Sequence, residues 1–116
     1  RADEGELGGE ERVAMEVAGV HLPLRVYRYE VGQQFGLHQD QSYFGPSGEK
    51  SLLTFMVYLN DDFEGGETEF PEQGQTVVPK TGTALFFQHM VLHAGKRVTR
   101  GTKLVLRSDV LYRRAG

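Results

Sequence analysis

The chain contains no cysteine. That absence excludes a disulfide framework, thiolate catalysis and any zinc or iron–sulfur centre built on cysteine. A metal here has to be held by histidine, aspartate or glutamate. No apolar run approaches the ~20 residues that cross a bilayer as a helix, and no basic segment followed by an apolar stretch marks a secretory leader. A soluble domain with no membrane partner is therefore expected. The chain opens on Arg1 rather than Met, so localisation is weakly constrained, with the cytoplasm as the expectation. A long segment of 3.6-residue apolar period is also missing, as are internal repeats.

What is present suits one globular domain. A chain of 116 residues is long enough for a single core that buries roughly two-thirds of the unfolded surface. Apolar residues make up 39% and charged residues 25%, ordinary values for a folded protein. Net charge is −3, but residues 1–72 hold 15 acids against 5 bases and residues 73–116 hold 8 bases against 1 acid. Such asymmetry can mark a nucleic-acid arm. In a fold of long-range strand pairing the two halves interleave instead, and no nucleic-acid motif accompanies the basic half, so nucleic acid is not an expected partner.

Residues 1–12 (RADEGELGGEER) are acidic and glycine-rich with one leucine, too little apolar surface to offset the entropy of ordering them. They read as a flexible lead-in to the folded domain over residues 13–116. RVAMEVAG suits either a helical turn or a first strand. LPLRVYRY has a period of two, with Leu22, Leu24 and Val26 opposite Arg25, Tyr27 and Tyr29. SLLTFMVYLN is a strand with Leu53, Phe55, Val57 and Leu59 toward the core and Thr54, Met56 and Tyr58 on a more polar face. TEF, QTVV and TALFFQ are shorter strands, the aromatic run Leu85, Phe86 and Phe87 being core. KLVLRSDVLY alternates Leu104, Leu106, Val110 and Tyr112 with Lys103, Val105, Arg107 and Asp109. Short strands punctuated by Gly/Pro turns predict an all-β sandwich or barrel. The polar loop Gln41 to Lys50 is expected to project and move, and Gly65 and Gly66 to shape a turn.

The four histidines differ in promise. His21, beside a proline at a strand start, reads as a surface residue. His89 and His93 have the i, i+4 spacing of a helical zinc pair, but Met90 stands where that motif needs glutamate and the preceding TALFFQ is β in character, so only His93 is expected to function. His38 and Asp40 sit i, i+2, on one face of an extended chain and roughly 7 Å apart. Alone, H-x-D is a common coincidence. With a second histidine downstream it becomes the two-His, one-carboxylate set that leaves three positions open on a non-haem Fe(II). Lys103, ten residues after His93, is either an exposed strand lysine or a partner for the carboxylate of a bound organic acid.

The stretches RVYRYEVGQQFGLHQD, FMVYLNDDFEGGETEFPE, VVPKTGTALFF and LHAGKRVTRGTK resemble, in order and spacing, the blocks of the prolyl 4-hydroxylase-like 2-oxoglutarate and Fe(II)-dependent dioxygenases. The resemblance runs from about Leu24 to Tyr112. It implies a double-stranded β-helix, a jelly-roll sandwich with the metal between its sheets. It also implies that His38, Asp40 and His93 hold Fe(II), that Lys103 holds the distal carboxylate of 2-oxoglutarate, and that Tyr58 assists that clamp. Tyr29 would lie near the chelating end of the cosubstrate. Arg107, on the face of Lys103, is the reserve anchor, with a pairing to Asp109 as its plainer role.

The implied reaction consumes 2-oxoglutarate and O2, releases succinate and CO2, and hydroxylates an aliphatic C–H bond, with ascorbate as an accessory ligand. The favoured substrate is a prolyl residue of a peptide or protein, with the Gln41 to Lys50 loop as a closing element. Asp40 favours hydroxylation, because related halogenating enzymes lack that carboxylate. The alternatives are the same chemistry on a small molecule or another residue, a non-catalytic metal-binding jelly-roll module, and a structural zinc site. The family's usual supporting helices have at most a short counterpart before Leu22.

Overall fold

The alternating stretches are strands in the computed structural model, which describes residues 14–115. The expected lead-in over residues 1–12 lies outside the described residues. In chain order the strands are β1 (Met15–Val20), β2 (Arg25–Tyr29), β3 (Phe35–His38), β4 (Lys50–Tyr58), β5 (Glu64–Gly65), β6 (Thr68–Phe70), β7 (Gln75–Val77), β8 (Ala84–Gln88), β9 (His93–Gly95), β10 (Val98–Arg100) and β11 (Lys103–Arg114). A 3-10 turn, Pro71–Gln73, joins β6 to β7. RVAMEVAG, which suited helix or strand, thus contributes β1.

All pairings are antiparallel. The larger sheet has the order β1-β11-β4-β8, with β2 also on β11; the smaller has the order β3-β9-β6-β7, and β5 and β10 form a two-stranded ribbon. Together they make the jelly-roll sandwich that the sequence led us to expect. Strand β11 is long enough to seat two partners on one edge, β2 against Lys103 to Arg107 and β1 against Val110 to Arg114, while β4 takes the other edge. The acidic and basic halves interleave: Lys96 pairs with Glu69, Arg100 with Glu64 and Arg113 with Glu16. These exposed pairs contribute little stability each.

Register reverses one expectation. Tyr27, Val105 and Tyr58 lie side by side, as do Arg107, Met56 and Leu85, and Asp109, Thr54 and Phe87. This is the inner face, on which Tyr58 and Thr54 are fully buried. The apolar row of β4, Leu53, Phe55 and Val57, lies on the outer face beside Leu106, Val110 and Phe86, and Leu59 just beyond β4 is exposed. Val26 is 60% and Phe86 59% exposed there, so Phe86 is not core, whereas Leu85 and Phe87 point inward. The physical reason is that the space between the sheets is lined for polar chemistry, and a period-two strand with its polar face inside must present its apolar face outward. Inner packing comes instead from Phe63, Phe70, Val98 and Val105, with Phe70 edge-on to Phe87 at 5.1 Å between centroids.

Candidate metal centre

His38 closes β3 and His93 opens β9, and the antiparallel register sets them directly opposite each other, with ring centroids 4.2 Å apart. Past the end of β3, the Asp40 N–H donates to the His89 carbonyl at 2.8 Å and the Gln39 amide donates to the Met90 carbonyl. Gln39 is thereby turned outward and Asp40 inward. Asp40 Oδ1 lies 3.2 Å from His38 Nε2 and 3.5 Å from His93 Nε2. One donor atom from each of the three residues falls within 4.8 Å of the others.

The hydrogen bonds around this trio specify its protonation. Nδ1 of His38 faces the Gly36 carbonyl at 2.6 Å and Nδ1 of His93 faces the Val91 carbonyl at 2.9 Å. A carbonyl only accepts, so each Nδ1 carries a proton, and in the neutral tautomer each Nε2 presents a bare lone pair. Burial pushes the His93 pKa down, which keeps the ring neutral at physiological pH. His38 Nε2 is buried without a hydrogen-bond partner. Two bare nitrogens and a carboxylate oxygen held this close repel one another unless a cation lies among them, so the donor set fits a divalent ion such as Fe(II). Phe35 stacks flat on His38 at 3.9 Å and Phe87 meets His93 edge-on at 4.5 Å, which fixes both rings.

Of the other predicted residues, Tyr29, Lys103 and Arg107 line the same cavity as His38, Thr68 and His93, while Tyr58 is fully buried outside that lining. Lys103 is not an exposed strand lysine: it is buried, and its ammonium donates to the Gly66 carbonyl at 2.7 Å between the rings of Tyr29 and Tyr58 at 5.1 and 5.9 Å. Burial pulls its pKa down to about 8, against an opposing pull from Glu67. Gly65 and Gly66 form the expected turn, both at positive φ. At Gly66 a Cβ would press on the Lys103 chain and the Phe63 ring, each 2.9 Å away. Tyr58 hydroxyl pairs with Thr68 at 2.5 Å, and burial raises the pKa of Tyr58 and of Tyr29, so both keep their phenol protons.

Arg107 shares the inner face with Lys103, but its guanidinium lies 3.1 Å from Asp40 Oδ2 rather than on Asp109. Two histidines also depart from their sequence reading. His21 is half-buried, stacked on Tyr43 at 3.8 Å and 3.8 Å from Asp109. His89, expected to be idle, is buried with Nδ1 2.9 Å from the Thr54 hydroxyl and Nε2 2.7 Å from the Ser51 hydroxyl; Thr54 in turn reaches Asp40 Oδ2 at 2.5 Å. His89 lies just beyond β8, and the pattern that marked it, its i, i+4 spacing to His93, pointed to a helical zinc pair rather than to this contact. The loop before β4 is a hydrogen-bonded hairpin, with Gly45 N–H on the Glu49 carbonyl and Ser51 N–H on the Tyr43 carbonyl.

Comparison with known proteins agrees with this geometry. Residues 24–108 match the model of the 2OG-Fe(II) oxygenase superfamily. A protein of Acanthamoeba polyphaga mimivirus that carries a prolyl 4-hydroxylase name is 36% identical over 100 residues, covering 71% of this chain and 41% of the relative. Prolyl 4-hydroxylase 13 of Arabidopsis thaliana is 29% identical over 107 residues, covering 69% of this chain and 39% of the relative. Among solved structures, the viral collagen prolyl hydroxylase of Paramecium Bursaria Chlorella virus-1, determined as a 2OG complex, superposes with a TM-score of 0.65 at 29% identity. That superposition covers 87% of this chain and 60% of the viral one. The chain thus spans about two-fifths of the length of these curated relatives.

Proposed function

Since the chain belongs to the 2OG-Fe(II) oxygenase superfamily, we propose that it hydroxylates an aliphatic C–H bond, that of a prolyl residue in a peptide or protein, at the expense of 2-oxoglutarate and O2. The observation that carries this reading is the convergence of His38 Nε2 and His93 Nε2 on Asp40 Oδ1, with a buried lysine in the wall of the same cavity. Bound Fe(II) would supply the oxygen chemistry that couples decarboxylation of 2-oxoglutarate, to succinate and CO2, with insertion of one oxygen atom into the substrate C–H bond.

The chain's own residues do the rest. His38 and His93 offer lone pairs because backbone carbonyls hold their other protons, and Asp40 adds the negative charge that offsets part of a dication. Lys103 meets the distal carboxylate of 2-oxoglutarate with an ammonium already stripped of water, so the ion pair forms in a low-dielectric setting where it is strong. Tyr29, protonated and in the cavity wall, donates to an oxygen of the same cosubstrate, and Tyr58 assists by holding Thr68 of that wall. Phe87, Phe70 and Val105 keep bulk water away from the metal side. The hairpin over residues 41–50 closes on the substrate.

The test is succinate formation with Fe(II), 2-oxoglutarate and a panel of proline-containing peptides set against small-molecule acceptors. A peptide should stimulate turnover and gain 16 mass units, the mass of one oxygen atom, and His38→Ala should abolish both. Unchanged turnover in iron-loaded His38→Ala protein would overturn the triad, and stimulation by small molecules alone would overturn the substrate class.

A further inference from the structure

Asp40 presents its two oxygens to different neighbours. Oδ1 faces the two histidine nitrogens, while Oδ2 is met by the Thr54 hydroxyl at 2.5 Å and Arg107 at 3.1 Å. The side chain is almost wholly buried, at 2% exposure, so these contacts decide its orientation. Behind Thr54 lie His89 and then Ser51, whose oxygen also takes the Tyr43 N–H at 2.7 Å.

The direction of each bond follows from which atom owns a proton. An ionised carboxylate has none, so the Thr54 proton goes to Asp40 Oδ2. The Thr54 oxygen must then accept from His89, which places the ring proton on Nδ1. With the ring proton on Nδ1, the Nε2 of a neutral imidazole is bare and receives the Ser51 proton at 2.7 Å. Ser51 in turn accepts from the Tyr43 amide. Four hydrogen bonds therefore point one way, from Tyr43 through Ser51, His89 and Thr54 to Asp40. The His89 backbone is tied at both ends, its N–H to the Leu52 carbonyl and its carbonyl to the Asp40 N–H, so the ring cannot drift from the carboxylate it supports.

From this geometry we infer that Thr54 and His89 are positioning residues for the metal-binding carboxylate, holding Oδ2 so that Asp40 offers a metal Oδ1 alone. A carboxylate free to rotate can chelate through both oxygens and would consume a second coordination position. The hydrogen-bonded chain keeps that position available to cosubstrate or O2. The inference rests on the metal role proposed above for Asp40, and it assigns a task to a buried histidine that the triad does not use.

The test uses Mn(II) as the probe, with free ion measured by electron paramagnetic resonance during titration of the folded, metal-free protein. Thr54→Val removes the proton donor at nearly constant shape and should weaken Mn(II) binding by about 10- to 100-fold, the range found when a group supporting a metal ligand is lost. Thr54→Ser should restore affinity. His89→Asn keeps an N–H near the place of Nδ1 and should stay near wild type, whereas His89→Leu should weaken binding. Should Thr54→Val fail to fold, the two His89 variants decide. Wild-type affinity in Thr54→Val or His89→Leu overturns the inference, as does a Thr54→Ser protein no better than Thr54→Val, since packing rather than the hydroxyl would then be responsible. A wild-type protein that binds no Mn(II) overturns the metal reading itself, a result separable from variants that match a binding wild type.

Discussion

At the scale of the residue, Lys103 is under opposed demands. Burial lowers its pKa to about 8 from an ordinary 10.5, so in the ligand-free protein the ammonium is held at a cost to folding. Between those two values the unfolded chain keeps a proton that the folded chain has released, so stability rises with pH across that window. Below pH 8 the penalty is present in full. Thermal melting of the ligand-free protein should therefore show a midpoint that climbs from pH 8 toward 10.5, and Lys103→Met should flatten that climb while melting higher at neutral pH. The same loss of charge should raise the Michaelis constant for 2-oxoglutarate in the wild type above pH 8 and in Lys103→Met at every pH, with a smaller effect on kcat. A constant that stays level from pH 7 to beyond 9 in the wild type would remove Lys103 from the clamp. The glycine at 66 belongs to the same device: its carbonyl accepts from Lys103, and its φ of +69° with the lysine chain packed against it leaves no room for a side chain.

At the scale of the element, the faces of β4, β8 and β11 carry the main lesson about legibility. Their alternation was plain in the chain, and the strands formed where it predicted. Which face lay inside was not plain, because a period of two defines two faces without ordering them, and the usual rule that apolar means inside fails where the interior is a polar site. Phe86 and Phe70 test the reversal. Phe86 is more than half exposed and pairs with the Phe55 ring at 5.0 Å between centroids, so Phe86→Ala should cost about 1 kcal/mol, the scale of one aromatic pair. Phe70 is buried between β8 and β9 against Phe87 and His93, so Phe70→Ala should cost about 3–5 kcal/mol. Urea denaturation of both variants measures the difference, and equal losses would contradict the assignment of faces. Strands β9 and β10, three residues each, were not foreseen, because HAG and VTR lack apolar alternation and their pairing is set by partners far along the chain.

At the scale of the whole molecule, the space between the sheets is a binding site as much as a core. The buried positions among the described residues include six hydrophobic residues and eight polar or charged ones, Thr54, His89, His93, Lys103 and Asp109 among the latter. A fold whose interior is polar draws part of its stability from what it binds. Metal at about 100 times its dissociation constant should add ~2.7 kcal/mol, which for a domain of this size raises the melting midpoint by on the order of 10 °C. Chelation with EDTA should reverse the gain, and His38→Ala should show none of it. A melting curve indifferent to Fe(II) and to EDTA would argue against the centre.

The sequence by itself determined the class of fold, the absence of any cysteine-held metal and the pairing of His38 with Asp40, because residue type and spacing along an extended chain are local properties. The residues also offered His93 as the second histidine and left two readings open for Lys103; resemblance to a known family then gave Lys103 its cosubstrate role and added the two tyrosines. Only the tertiary structure decided that the apolar face of the larger sheet turns outward, that Arg107 reaches Asp40, and that His89 stands behind Thr54. Each of these depends on contacts between residues tens of positions apart, 35 in the case of Thr54 and His89, and on the competition between burying apolar surface and lining a site with charge. No local pattern records the outcome of that competition.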